Sequence, residues 1–239
     1  MSKALNILKE VFGYPAFRGQ QAEVIAHVAA GGDCLVLMPT GGGKSLCYQI
    51  PALLREGVAI VVSPLIALMH NQVAALHELG VRAAVLNSSL SVQESLAVEQ
   101  KLLASEYDLL YVAPERLLTP RFLNLITRIR IALFAIDEAH CVSQWGHDFR
   151  PEYRRLREMM IQINPDAPVI ALTATATPKV QSDIVKNLDL RKPNIFISSF
   201  NRANLYYEVL PKIKKTQVDE NIVRFVKSMG KKSGIIYTL

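Results

Sequence analysis

Residues 34–45 read Cys34-Leu35-Val36-Leu37-Met38-Pro39-Thr40-Gly41-Gly42-Gly43-Lys44-Ser45. A short apolar run of strand character leads into three consecutive glycines, a Lys-Ser pair and then an amphipathic segment. Glycines at Gly41, Gly42 and Gly43 let the backbone N–H groups of the Thr40–Gly43 turn approach a chain of phosphates that a Cβ would hold off. The start of a helix just beyond adds unpaired donors and partial positive charge. Lys44 has the reach for β- and γ-phosphates, and the Ser45 hydroxyl is a hard ligand suited to Mg²⁺. One position departs from the strict phosphate-loop pattern: Met38 stands where that pattern has glycine.

Outward from this stretch, short apolar runs alternate with helical-period segments. The strands are expected at Cys34–Met38, Val58–Val62, Ala83–Leu86, Leu109–Val112, Ala132–Ile136, Val169–Thr173 and Asn194–Ile197. Ser63 before Pro64, the Ser91-x-x-Glu94 capping box and Thr177 before Pro178 read as helix starts. Strands with little polar alternation suit burial on both faces, and strand–helix alternation implies an α/β fold with a mostly parallel sheet. Ligands of such a sheet bind at the carboxyl ends of its strands. Ser198–Asn204 break the pattern. A strand at 205–210, a helix at about 217–229 and a strand at 234–238 then follow, too little to bury a core of their own. The expected organisation is a first domain over 1–198, a linker over 199–204 and an incomplete second domain over 205–239.

Half of the 239 residues are hydrophobic, which excludes wholesale disorder. No apolar run reaches the ~20 residues needed to span a bilayer, and residues 1–10 lack a signal-peptide pattern. Three scattered cysteines, Cys34, Cys47 and Cys141, make neither a metal knuckle nor a disulfide scaffold. A reduced, cytoplasmic protein is expected. The net charge of +6 is concentrated in residues 201–239, where eight Lys/Arg face three acids. The first 200 residues are close to neutral, so bulk charge does not argue for a polyanionic partner and local patches must.

The second chemical signal is the apolar run Ile131–Ile136 followed by Asp137-Glu138-Ala139-His140. A buried strand there delivers two carboxylates to the sheet edge that carries the phosphate loop. Asp137 suits Mg²⁺, directly or through water, and Glu138 suits polarising an attacking water. Further on, Ser143-Gln144-Trp145-Gly146-His147-Asp148-Phe149-Arg150-Pro151-Glu152-Tyr153 holds the sole tryptophan of the chain. Trp145 could stack on a nucleobase and Arg150 could grip phosphate; alternatively Trp145 and Phe149 are core anchors beneath the loop. Arg150, Arg154 and Arg157 share a face if a helix starts near Pro151, either as a backbone-tracking stripe or as a salt-bridged solvated face.

Taken together, these motifs resemble the amino-terminal motor domain of RecQ-type DNA helicases, from about Leu8 to the last residue. The stretches that carry the likeness are Phe17–Gln21, Met38–Leu53, Val61–Met69, Leu110–Leu117, Asp137–Tyr153, Leu172–Thr177 and Gly234–Tyr237. The resemblance implies a RecA-like domain that binds Mg²⁺ and ATP through Lys44, Ser45, Asp137 and Glu138. It implies an adenine site made of Tyr14, Arg18 and Gln21, the last lying 23 residues before Lys44. An amide can donate and accept at once, as an adenine edge requires. Single-stranded or partly duplex DNA is the implied partner, with 3′-to-5′ movement of the parent protein. Trp145, His147, Phe149 and Arg150 become DNA-coupling residues, and His140, Thr173 and Thr175 a bridge from the acidic pair to the DNA side. The Ser63–Met69 segment is a further coupling element. A second lobe of this family supplies an arginine finger beyond the last residue here. The chain is therefore expected to bind Mg²⁺-ATP and DNA without unwinding by itself. An RNA-directed helicase and a non-hydrolysing nucleotide- and DNA-binding module are the alternatives.

Overall fold

The computed structural model describes residues 2–146, 148–199, 205–211 and 215–237. His147 and all of the expected linker except Ser199 lie outside the described residues. The chain divides into two units, Met1–Phe200 and Asn201–Leu239.

The first unit alternates strands and helices in chain order. Strands are β1 (Cys34–Leu37), β2 (Val58–Val62), β3 (Ala83–Leu86), β4 (Leu109–Val112), β5 (Ile131–Ile136), β6 (Val169–Thr173) and β7 (Asn194–Ile197). Helices are α1 (Lys3–Glu10), α2 (Gln21–Ala29), α3 (Leu46–Leu54), α4 (Ile66–Glu78), α5 (Val92–Leu103), α6 (Pro114–Leu117), α7 (Pro120–Ile126), α8 (Pro151–Arg154), α9 (Leu156–Ile163) and α10 (Pro178–Asn187). The strands form one sheet in the order β3-β4-β2-β5-β6-β1-β7, parallel throughout. The seven strands expected in the first unit are present, and the sheet expected to be mostly parallel is parallel throughout. Parallel strands need a crossover between them, and each intervening helical segment is long enough to supply one.

Period-two alternation sends successive residues to opposite faces, and in β1 to β6 both faces are buried, while the edge strand β7 buries only Phe196. Leu35, Leu37, Ile60, Val62, Phe134 and Ile136 join one core. Cys34, Val36, Ala59, Val61, Leu133 and Ala135 join the other. That is why the strands read as continuous apolar runs. The three cysteines are buried and free, as small core residues.

Two of the three expected helix starts hold. Ser91 and Glu94 close a full capping box on α5, and the Thr177 hydroxyl accepts from Val180 N to cap α10. Ser63 is different. Leu65 is extended (φ −112°, ψ 100°), so α4 begins at Ile66. The buried Ser63 hydroxyl makes no well-formed hydrogen bond, and it faces Asp137, whose carboxyl it pulls down slightly. Position 63 is thus a strand-end residue, not a cap.

At the amino-terminal pole of the sheet, Asp33 ties two distant segments together. Its Oδ1 accepts from Val169 N (2.9 Å) and its Oδ2 from Arg191 N (2.7 Å). Two clefts, of about 430 and 420 Å³, also lie at this pole and are lined by residues such as Val81 and Tyr107, and Arg55 and Asn164. Neither includes a residue of the phosphate loop.

Among its described residues the second unit contains one helix, α11 (Lys215–Ser228). The strands expected at 205–210 and 234–238 are not formed among its described residues: 205–211 and 232–237 carry no strand. An isolated extended segment has no neighbour to pair its backbone groups, so apolar β-branched sequence alone does not make a strand. Helix α11 satisfies its own backbone and therefore forms.

Candidate nucleotide and nucleic-acid site

The loops after β1, β2, β5 and β6 all emerge at the carboxyl edge of the sheet, because every strand runs the same way. In the loop after β1, Gly41 and Gly43 both adopt φ +78°, a region that only glycine enters without strain. Gly42 N donates to the Pro39 carbonyl (2.9 Å), folding the turn back on itself. Met38 explains the departure from the strict motif. Its backbone is not left-handed, and its side chain is buried in the core while its N–H donates to the Thr173 carbonyl (3.2 Å). A strand-end residue rather than a turn residue is needed there. Lys44 Nζ donates to the Met38 and Pro39 carbonyls (3.0 and 3.4 Å), so the ammonium is held inside the turn.

Gln21 sits buried at the first turn of α2. Its Oε1 accepts from Arg18 N (2.8 Å), and its Nε2 donates to the Gly43 carbonyl (3.2 Å). The amide expected to face a base edge thus also braces the glycine turn. A side chain at Gly43 would collide with that Nε2. Tyr14 and Arg18 are exposed beside it, with the guanidinium 5.9 Å from the ring centroid. The aromatic face and the cation are therefore neighbours, as a base-holding pair requires.

At the end of β5, Asp137 N donates to the Val62 carbonyl (2.9 Å), and Asp137 Oδ1 accepts from Glu138 N (3.0 Å). Tyr153 Oη donates to the Asp137 carbonyl (3.2 Å), a support that no motif of the sequence marks. Burial, with the neighbouring Glu138 charge second, pushes the Asp137 carboxyl up to about 6. The donor set of Ser45 and Asp137 is two hard oxygens, and the Asp137 carboxylate is short of donors. Both features fit a small hard cation such as Mg²⁺. The Tyr48 phenol feels both Asp137 and Ser45, so the two loops share one electrostatic environment. Glu138 is left-handed (φ 47°, ψ 46°), a conformation that costs a non-glycine residue energy, and its Oε2 lies 3.3 Å from His140 Nδ1.

Thr173, at the end of β6, connects the two loops. Strand β6 lies between β1 and β5. The Thr173 carbonyl accepts from Met38 N, and its hydroxyl lies 2.9 Å from the Nδ1 of buried His140. The same hydroxyl accepts from Thr175 N (3.2 Å) and donates to the Thr175 carbonyl (3.1 Å). With its proton so used, it accepts from His140, which places a hydrogen on Nδ1. The residues expected as a bridge, His140, Thr173 and Thr175, are in direct contact.

The segment after the acidic pair is anchored at several points. Gly146 packs on the His140 carbonyl so closely that a methyl group there would collide with it. Trp145 is 63% exposed, which sets aside the reading of it as a core anchor, whereas Phe149 is half-buried with Arg154 stacked 5.3 Å from its centroid. Arg150 donates from Nε and Nη2 to Asp148 Oδ2 (3.2 and 3.1 Å) and from Nη1 to the Pro64 carbonyl (3.3 Å). It ties the aromatic segment to the loop after β2 instead of standing free. Arg157 pairs with Asp189 (2.7 Å). The three arginines serve three different partners, and no shared stripe forms. His27 and His77 approach the Asp33 and Ala83 carbonyls at 2.9 and 2.7 Å, while His70 reaches Ser89, so these histidines act in local packing.

Comparison with known proteins gives concordant results. A family model described as DEAD/DEAH box helicase matches residues 18–184. The chain is 49% identical over 234 residues to the ATP-dependent DNA helicase RecQ of Haemophilus influenzae, covering 98% of this chain and 37% of that protein. It is 45% identical over 239 residues to the protein of the same name from Bacillus subtilis, covering all of this chain and 40% of that one. The chain thus spans about two-fifths of the length of these relatives. Among solved structures, a hypothetical ATP-dependent RNA helicase from Sulfolobus tokodaii superposes with a TM-score of 0.65 at 18% identity, over 83% of this chain and 57% of that one. That likeness speaks for the fold, a RecA-like helicase domain. With a family model across most of the first unit and nearly half of all residues shared with RecQ proteins along its full length, the chain belongs to the DEAD/DEAH box helicase family.

Proposed function

We propose that the first unit is the leading motor domain of a RecQ-type ATP-dependent DNA helicase, which hydrolyses ATP in response to single-stranded DNA. On this reading residues 205–239 open a second RecA-like lobe. The observation that carries the proposal is Thr173, which is bonded at once to the phosphate loop through Met38 and to the acidic segment through His140. Movement of the DNA-facing segment after His140 therefore reaches both halves of the nucleotide site. The names of the relatives, ATP-dependent DNA helicases, agree with it.

Lys44 exchanges its two carbonyl partners for the β- and γ-phosphates, and the amides of the Thr40–Gly43 turn bind phosphate oxygens. Tyr14, Arg18 and Gln21 orient the adenine. Ser45 and Asp137 would hold Mg²⁺, which neutralises charge on the phosphate oxygens when bound. Glu138 polarises the attacking water, and His140 sets the direction of that carboxylate. Trp145, Phe149 and Arg150 sense DNA, Arg150 by linking Asp148 to the loop after β2. His147 belongs to the same proposed set.

The test is Mg²⁺-dependent ATP hydrolysis by this chain, with and without single-stranded DNA, beside Lys44→Ala. DNA-stimulated turnover that the substitution abolishes supports the reading in full. Nucleotide binding weakened by Lys44→Ala without turnover means a half-site that depends on the second lobe. Nucleotide binding that Lys44→Ala leaves intact overturns the site, and equal stimulation by RNA overturns the choice of DNA.

A further inference from the structure

Helix α10 reaches the aromatic segment at two places. Ser143, fully buried, donates from Oγ to Asp183 Oδ2 (2.8 Å) and accepts from Trp145 N (3.1 Å) on the same oxygen. One turn earlier on α10, Lys179 Nζ lies 3.2 Å from the centroid of the Trp145 ring. The first contact fixes the root of the segment. The second is of another kind, since Lys179 and Trp145 are both exposed and are held by a cation on a ring face. An ammonium at that distance excludes any other group from that face of the indole. A nucleobase stacks on the same feature of the ring, its π-face.

We propose that Lys179 is a movable cover on the base-stacking face of Trp145: single-stranded DNA displaces the ammonium, which then pairs with the phosphate beside the stacked base. The inference rests on the reading of the Trp145 segment as the DNA sensor. The Ser143–Asp183 bond lets the ring exchange partners while its backbone stays in place. The four-carbon stem of Lys179 keeps the released charge within reach of the strand, one sugar away from the base. Lysine suits the task because its point charge on a flexible stem moves freely between partners.

Trp145 is the sole tryptophan among eight tyrosines, so emission excited beyond the tyrosine absorption band reports this ring alone. The experiment titrates oligodeoxythymidylate into the 239-residue chain and into its Lys179→Met and Lys179→Arg variants at several salt concentrations. Free Lys179→Met should differ from the parent in emission, and the DNA-bound spectra of the two should converge. The slope of log affinity against log salt should be shallower by about 0.7 in Lys179→Met, one phosphate contact on a single strand, and restored in Lys179→Arg. A spectral difference that persists in the bound state, or an unchanged slope, overturns the cover while leaving the DNA sensor standing. No response of the parent's Trp145 to DNA overturns both.

Discussion

Two aspartates at opposite poles of the same sheet, Asp33 buried and Asp137 half-buried, are treated in opposite ways. Asp33, before β1, accepts from Val169 N and Arg191 N, with the Arg191 guanidinium adding further donors. Asp137, after β5, accepts a single backbone donor from its own neighbour, beside a second carboxylate. The first arrangement satisfies a charge and closes the sheet. The second leaves a charge under-satisfied where a cation and phosphates are expected. The amino-terminal pole thus stabilises the fold, while the carboxyl edge keeps its polar groups available for ligands.

The contrast can be broken most forcefully at Asp33. Asp33→Ala orphans the buried Val169 N and the part-buried Arg191 N and should cost about 3 kcal/mol, read as a lower urea midpoint with an unchanged slope. A loss below about 1 kcal/mol would remove Asp33 from the structural pole. Asp137→Asn should act in the other direction. A carboxyl raised from 3.8 to about 6 binds its proton more tightly in the folded than in the unfolded chain. Its ionisation therefore penalises the native state above about pH 6, and the penalty fades as pH falls towards about 4. In metal-free buffer at about pH 7 the substitution should stabilise by about 3 kcal/mol or less, with the gain disappearing near pH 4. A pH-independent gain would mean that packing, not charge, is responsible.

Gly43→Ala sharpens the comparison within the carboxyl edge. A left-handed φ and the collision with Gln21 should cost roughly 1–3 kcal/mol and weaken nucleotide binding by more than tenfold in a fluorescent-nucleotide titration. Ser91→Ala touches neither pole. Removing the capping box of α5 should cost about 1 kcal/mol and leave nucleotide affinity unchanged. If affinity also falls, the division of labour between regions is less sharp than the two aspartates indicate.

Much of the fold is legible in the chain's own residues. Strand boundaries read from the sequence at Val58–Val62, Ala83–Leu86, Leu109–Val112, Val169–Thr173 and Asn194–Ile197 coincide with the observed ones. Burial on both faces writes an apolar signature along β1 to β6, whereas the edge strand β7 buries only Phe196 and is marked by its β-branched residues Ile195 and Ile197. The glycine turn and the acidic pair are equally visible, since both are contiguous in the chain. The strands expected in the second unit fail for the complementary reason: a strand depends on a neighbour, and sequence cannot show whether one is paired with it. Arg150, Arg154 and Arg157 show the same limit, because their spacing suggests a common face whereas Asp148, Phe149 and Asp189 claim them one by one.

The sequence by itself determines a parallel α/β domain with a phosphate turn and a carboxylate pair on one edge, because local periodicity and contiguous motifs encode those features. Tertiary structure alone decides that Gln21 braces Gly43, that Thr173 joins two loops, that Lys179 covers Trp145, and that Asp33 is satisfied while Asp137 is not. Each depends on which groups meet across the chain, 136 residues apart in the case of Asp33 and Val169. Once water is excluded, the energy of a polar group is set by the partners it meets there and hardly at all by its neighbours in sequence.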